Sequence, residues 1–595
     1  MPESSQPEWR RGLAVVAFAL LASFAGIGSH SLWTPDEPRD AAVGKAMLAS
    51  GDYLVPRLNG RPFLEKPPLY WWAQAACFKA LGVGDARARV PSALFAALTL
   101  LLTYGMGRRI GGPRVGLFAA AVLATTAEFV EDMSRAVVDP PLVLFVSAAW
   151  FAFAVLEEPR SPAERRWAGG LVALAVPLAF LAKGVVGVGL GIGPPVLYLL
   201  ALRGRNGRGA ALRGLLPLGA AGAAVFAALV LPWALALVHE AGWPALRECL
   251  VGNTVGRLLS TEAGRAYGHR QPFWYYFAAG LPALLPWVLA VPAMVRAGLW
   301  RRRPGWDAGR LLFFCCSLGL LLLSTAASKR ALYLVPLLPA LAVCVASWLD
   351  QCDSPADPEA ASDAARSWDR PTLLVLFALA TALPILIGFA AESLHWIPWL
   401  SAASPGGIPL VPVRTALKGG LLRNLFGWVV VGIGLWILLP QLRRDLRTKS
   451  QPRPAWILVP YFLVFLLLQT AVKAAIEPLK NLHDLTAAIS RLSPGTGPVT
   501  AYQPNESLFG IVGFDLDRRV APLTGQEEIA SYFASHPGGN LVLTVQALRR
   551  LPAGMRAHLR PLYDETGYKA SPYAIVTGSG GTPEALPGRS GGSPR

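Results

Sequence analysis

The sequence predicts a mainly α-helical protein, a polytopic transmembrane helical bundle with a small C-terminal α/β domain outside the membrane. Three observations predict it. Apolar runs of the roughly 17–25 residues needed to span about 30 Å of hydrocarbon recur along most of the chain. The 595 residues are 53% hydrophobic and only 15% charged, against roughly 25% charged in soluble domains. Arginine clusters fall in every second loop, at Arg10–Arg11, Arg108–Arg109, Arg165–Arg166, Arg203 to Arg213, Arg301–Arg303 and Arg443 to Arg447. That alternation marks cytoplasmic loops. The net charge of +18 therefore reads as membrane topology, whereas a nucleic-acid partner would require a continuous basic face. A spanning β-barrel is excluded because its short alternating segments do not occur.

Each element follows from its residues. The run from Leu13 to Gly28 lies behind Arg10–Arg11 and lacks a small-residue cleavage site, so it predicts an uncleaved first helix with a cytoplasmic N-terminus. Further spans are predicted at 89–107, 113–130, 138–156, 167–183, 185–202, 214–238, 274–296, 309–327, 330–349, 371–391, 420–440 and 455–473. The total of about thirteen is odd, which places the C-terminus on the outer side. Residues 351–370 are acidic and rich in Ser, Ala and Pro, as a solvated linker would be. The membrane domain is taken as 1–475, with its first outer loop at 30–88. In 476–577 the composition turns soluble, with strands expected at 499–502, 510–512, 540–544 and 573–576 and a helix at 526–535. The Gly/Ser/Pro-rich tail 578–595 predicts disorder. The six cysteines, Cys77, Cys249, Cys315, Cys316, Cys344 and Cys352, have no paired spacing and read as small apolar packing residues.

Chemistry concentrates in polar segments at the outer boundary, where unpaired charge is costly. The first outer loop carries Asp36, Glu37, Arg39 and Asp40, then Glu65-Lys66-Pro67-Pro68 ahead of Tyr70-Trp71-Trp72. Those aromatics fit a helix lying along the headgroups. Asp139 opens a later span, where it reads as a helix N-cap on the same outer face. Lys183 sits between two apolar stretches and reads as a snorkelling side chain. Lys329, Arg330 and Tyr333 form an outward basic turn that breaks the charge rule, which phosphate binding would explain. His269 could approach Glu65, but two ligands are too few to define a metal site. Neither a P-loop nor a dinucleotide-binding glycine pattern occurs, so no nucleotide cofactor is expected. A transporter would line its spans with polar groups and show repeat symmetry; here the charges gather in outer loops.

Taken in order, Asp36-Glu37-Pro38-Arg39, Ser50-Gly51-Asp52, Glu65-Lys66-Pro67-Pro68-Leu69, Ser134-Arg135 with Asp139, Lys183-Gly184, His269-Arg270-Gln271-Pro272 and Ser328-Lys329 with Tyr333 resemble one family. It is the polytopic, lipid-dependent glycosyltransferases of GT-C type, in the bacterial branch typified by aminoarabinose transfer to lipid A and related to protein O-mannosyltransferases. The likeness covers most of residues 30–340. It implies a transferase that takes a sugar from a polyprenyl-phosphate carrier and passes it to lipid A, a glycan or a protein. The setting would be the outer face of a bacterial inner membrane, with the C-terminal domain periplasmic and membrane lipids around the bundle. By resemblance, Asp36 and Asp139 are catalytic carboxylates, and Arg39, Lys66 and Tyr333, with Lys329 or Arg330, contact the carrier phosphate. Glu65 and His269 match a pair able to hold a divalent, zinc-like metal ion. Pro38 departs from the threonine of aminoarabinose transferases, so the resemblance leaves the sugar open.

Overall fold

The computed structural model describes residues 8–202, 205–255, 270–301, 305–353, 369, 371–379, 455–565 and 572–578. The expected span at 420–440, most of that at 371–391, nearly all of the linker 351–370, His269 and the tail beyond 578 lie outside them. Among the described residues six helices are long and apolar enough to cross a membrane, and three shorter apolar ones accompany them. Helix α1 (Glu8–Phe24) covers most of the first predicted span. Large apolar side chains such as Leu98, Leu235 and Leu321 remain at least half exposed on the spans, as a lipid-facing surface requires.

Several spans differ from a plain run of helices, each for a local reason. Helices α2 (Asp36–Ser50) and α3 (Leu69–Leu81) precede α4 (Asp85–Ala124), which is a hairpin. Its arms reverse at Gly111–Gly112, where Gly112 takes φ 87, a value that suits glycine. The arms then approach so closely that a Cβ on Gly107 would lie 2.8 Å from the Cα of Gly116. These arms are the spans predicted at 89–107 and 113–130, except that the second stops at Ala124 and α5 (Ala127–Met133) stands apart. Helices α6 (Pro140–Glu157), α7 (Pro162–Lys183) and α8 (Val185–Leu197) follow as expected. The predicted single span at 274–296 is instead broken into Tyr275–Ala283, a 3-10 turn at Trp287–Ala290 and Val291–Arg296. Pro282 and Pro286 each remove a helical N–H donor there.

The first outer segment, expected as a polar loop where the chemistry concentrates, is a packed structure with two helices of its own. Asp36 and Glu37 occupy the first turn of α2, where the helix dipole favours acids, and Gly51 closes the helix in the left-handed region at φ 70. Two of the α3 aromatics do not lie along headgroups: Tyr70 and Trp71 are fully buried within the protein, because α2 packs across them, while Trp72 is only partly buried. One ion pair ties this segment together. Arg89, near the start of α4, donates from Nε to Glu37 Oε1 at 2.6 Å and from Nη2 to Oε2 at 2.9 Å, with both side chains inaccessible to solvent. Glu37 also accepts the backbone N–H groups of Trp33 and Ala136, at 2.8 and 2.9 Å. Arg89 donates further to the carbonyls of Ile27, His30 and Ser31. The pair thus joins α2, α4, the chain leaving α1 and the segment between α5 and α6.

The C-terminal region forms a five-stranded sheet of β1 (Val499–Tyr502), β2 (Val520–Leu523), β3 (Asn540–Thr544), β4 (Leu559–Asp564) and β5 (Tyr573–Gly578), in the order β2-β1-β3-β5-β4. Strands β2, β1 and β3 run parallel, β5 pairs antiparallel with β3, and β4 forms the far edge antiparallel to β5. The expected strand at 510–512 is inside the helix Glu506–Leu516, because Asn505 caps that helix through the N–H of Leu508 and apolar positions recur at helical spacing. This helix lies on α2. Ser507 donates to the Pro35 carbonyl at 3.1 Å, Lys45 donates to the Phe514 carbonyl at 2.6 Å, and Gly510 presses against the backbone of Pro38 and Arg39. A second tie is His483, bonded to Asp85 and Asp515 at 2.7 Å each; these bonds hold its imidazole protonated, with its pKa raised to about 10.

Removing one member of a buried ion pair strands the other charge and typically costs about 3–5 kcal/mol. Arg89→Met is therefore expected to lower unfolding stability of the detergent-purified protein by about that amount, measured by denaturant titration. The double variant Glu37→Met with Arg89→Met should be less damaged than either single one.

Candidate active site

A cavity of about 350 Å³ opens where α2 meets the C-terminal helix, the α5–α6 segment, the end of α7 and the turn after Lys329. That volume falls in the range of small-molecule pockets, ~300–1,000 Å³. Helix α2 presents Asp36, Arg39 and Asp40 to it, and the bend before α3 presents Glu65 and Lys66. Asp132 and Asp139 come from either side of the α5–α6 turn, Lys183 from the last residue of α7, and Arg330 and Tyr333 from the outward turn. The spacing of Asp36, Arg39 and Asp40 explains their shared face, since residues three and four apart are neighbours on a helix.

Two charge groups divide the walls. In the first, Asp36 meets the guanidinium groups of Arg39, Arg330 and Arg135 at 3.3, 3.2 and 3.7 Å. Burial alone would push the Asp36 carboxyl up, but these three cations hold it below the usual carboxylate range. Arg39 is shared among Asp36, Asp40 at 3.4 Å and Glu506 of the C-terminal helix at 2.9 Å. Asp40 is almost wholly buried and also accepts from the indole N–H of Trp71 at 3.3 Å. Its burial outweighs the pull of Arg39 and raises its pKa to about 7.

In the second group, Lys183 bonds directly to Asp139 and lies 4.6 Å from the centre of the Tyr333 ring, a cation–π distance. Asp139 does begin α6, but its side chain makes no capping hydrogen bond; the carboxylate faces Lys183 instead. Lys183 is accordingly an ion-pair partner within the cavity wall and not a snorkelling residue. Asp132 completes the group as a buried carboxyl.

The sequence-predicted site residues are thus brought together at Asp36, Arg39, Glu65, Lys66, Asp139, Arg330 and Tyr333. Lys329 is not in the cavity wall. It is buried, and its ammonium donates to the carbonyls of Gln271 and Ala326, bracing the turn that carries Arg330. His269 lies outside the described residues, and among those residues no three His, Cys, Asp or Glu side chains converge as a metal site would require. Sequence reasoning missed Asp40, Asp132, Lys183 and Glu506 as cavity residues. Asp40 was recoverable, being four residues after Asp36, had the segment been read as a helix. Asp132 and Glu506 reach the cavity only through the fold.

Chemically, this arrangement can hold an anion against fixed cations while offering carboxylates of differing basicity. Preorganised cations in a partly dehydrated site stabilise developing negative charge. Asp36 stays ionised and weakly basic. Asp40 has the protonation range suited to accepting a proton near neutrality.

Comparison with known proteins finds relatives for parts of the chain and a solved structure of the same fold. Residues 65–235 match the family model described as dolichyl-phosphate-mannose-protein mannosyltransferase. An undecaprenyl phosphate-alpha-4-amino-4-deoxy-L-arabinose arabinosyl transferase of Pectobacterium atrosepticum is 29% identical over 348 residues, 58% of this chain and 60% of that protein. One of the same name from Sodalis glossinidius is 29% identical over 431 residues, 70% of each chain. The chain thus spans about three-fifths of the length of the Pectobacterium relative. Among solved structures, ArnT from Cupriavidus metallidurans bound to undecaprenyl phosphate superposes with a TM-score of 0.72 at 19% identity, covering 95% of this chain and 97% of that one. That likeness establishes the fold, including the small sheet domain beside the helical bundle. The chain is therefore similar in its matched regions to aminoarabinose transferases and to the mannosyltransferase family model, and it shares the fold of ArnT.

Proposed function

We propose that this protein is a glycosyltransferase that moves a sugar from a polyprenyl-phosphate carrier to an envelope acceptor, lipid A or a related glycolipid or glycan. The site would face the periplasm from the bacterial inner membrane, with the N-terminus cytoplasmic and the sheet domain outside. The observation that carries the reading is the cavity itself, which sets Arg39, Lys66 and Arg330 beside the carboxylates Asp36 and Asp139 next to the spans. The names of the matched relatives support the carrier and the reaction class.

In this reading the sugar–phosphate bond breaks as the carrier phosphate takes up negative charge. Arg39, Arg330 and Lys66 stabilise that charge, and Tyr333 packs against Lys183 at the same wall. Asp36, ionised among three guanidinium groups, orients the acceptor or balances positive charge developing on the sugar. A hydroxyl acceptor must also lose a proton, and Asp40 accepts it best. A phosphate acceptor needs no base. Glu65 and His269 are the residues that would hold a divalent ion; no step above depends on one. A protein acceptor would use the same cavity and is the second reading within the class.

Asp36→Asn is expected to reduce transfer at least about a hundredfold, the scale of losing one fixed electrostatic group, with membrane abundance unchanged on immunoblots; full activity would reject the assignment. Lys66→Ala should weaken binding of undecaprenyl phosphate to the purified protein about tenfold, as loss of one charge-assisted bond implies. With a hydroxyl acceptor, transfer should rise with pH and level off above about 7 as Asp40 ionises. Asp40→Asn should abolish that limb, and a pH–rate profile unchanged by the substitution would remove Asp40 as the base.

A further inference from the structure

Asp132, one residue from the end of α5, is a polar group of the cavity wall that the mechanism above leaves unused. It is 2% exposed, and its Oδ2 has no hydrogen-bond partner among the described residues. Buried polar atoms are almost always paired, so an orphan at a cavity wall points to a ligand that completes it. Other acids of the wall are engaged: Asp36 by three guanidinium groups, Asp40 by Arg39 and Trp71, Asp139 by Lys183 and Glu506 by Arg39.

The charges around Asp132 select the chemistry of that ligand. Asp139 and Glu128 act on it as like charges, while Lys183 and Arg135 oppose them, and each of those cations already has a carboxylate partner. A phosphate oxygen would be repelled here and is better received by Arg39, Arg330 and Lys66. Burial, reinforced by Asp139, pushes the Asp132 carboxyl well above the usual carboxylate range. A neutral carboxyl offers one O–H donor and an acceptor oxygen. A sugar hydroxyl, itself donor and acceptor, matches it.

We propose that Asp132 is a specificity-determining residue that reads a hydroxyl of the transferred sugar, at a corner of the cavity opposite in charge character to the one that receives the carrier phosphate. This rests on the transferase reading and deepens it by separating a sugar-reading corner from a phosphate-binding one. It also accounts for a buried carboxyl oxygen without a hydrogen bond among the described residues.

The test uses the full chain purified in detergent, with undecaprenyl phosphate and its glucose and 4-amino-4-deoxyarabinose esters as probes. Wild type should bind at least one sugar ester about tenfold tighter than the bare carrier. Asp132→Leu should reduce that preference to within about threefold, keep bare-carrier affinity and leave the thermal midpoint unchanged or raised. Asp132→Asn, neutral and able to donate and accept, should retain most of the preference. Four results overturn the inference alone: no ester preference in wild type, a preference intact in Asp132→Leu, a loss in Asp132→Asn as large as in Asp132→Leu, which would signify charge recognition, or a lowered midpoint with loss of bare-carrier binding, which would make Asp132 a packing residue. Failure of wild type to bind the bare carrier overturns the transferase reading and this inference together.

Discussion

The buried pair of Glu37 and Arg89 is the contact on which the outer face of the protein depends. Two full charges held without solvent survive only when every donor and acceptor is satisfied. Here Glu37 accepts from Arg89, Trp33 and Ala136, and Arg89 uses its remaining N–H groups on three carbonyls. Such a pair adds little net stability over an apolar replacement. Its consequence is geometric: it sets α2 at a defined height above α4 and brings the α5–α6 turn to α2.

That geometry makes the cavity. With Glu37 turned inward to Arg89, Asp36, Arg39 and Asp40 of the same helix are left to line the cavity with Arg330, Asp139 and Lys183. The C-terminal domain closes the remaining side. Gly510 permits contact with the α2 backbone that a side chain would prevent, and Glu506 takes one arm of Arg39. The soluble domain is thereby a wall of the site rather than an appendage. The electrostatic result is a set of carboxyls with different basicities within one small volume, each set by its own neighbours.

The legible part of the fold was what depends on local composition. Apolar length marked the spans, arginine alternation marked their loops, and the strands at 499–502, 540–544 and 573–576 stood out by β-branched content. The α2 helix was hidden because its apolar residues follow no single face: it is covered on one side by α3 and on the other by the C-terminal helix. Two of the α3 aromatics were misplaced for a related reason, since Trp and Tyr look alike whether they meet headgroups or a neighbouring helix. Asp40 could have been found from its four-residue spacing to Asp36; Asp132 and Glu506 carry no such signal.

What the sequence by itself determined is the class: a multi-span helical membrane protein with charged outer segments and ordered motifs that resemble those of one transferase family. Hydrophobic length and charge placement are properties of contiguous residues, and the membrane imposes them directly. Which charges meet was decided only by the tertiary structure. Asp139 pairs with Lys183 across 44 residues and Asp36 with Arg330 across 294, while Lys329, one residue away, turns to backbone carbonyls. Side chains adjacent in sequence take opposite directions according to the packing around them. The basicity of each carboxyl depends on that packing and on nothing that can be read along the chain.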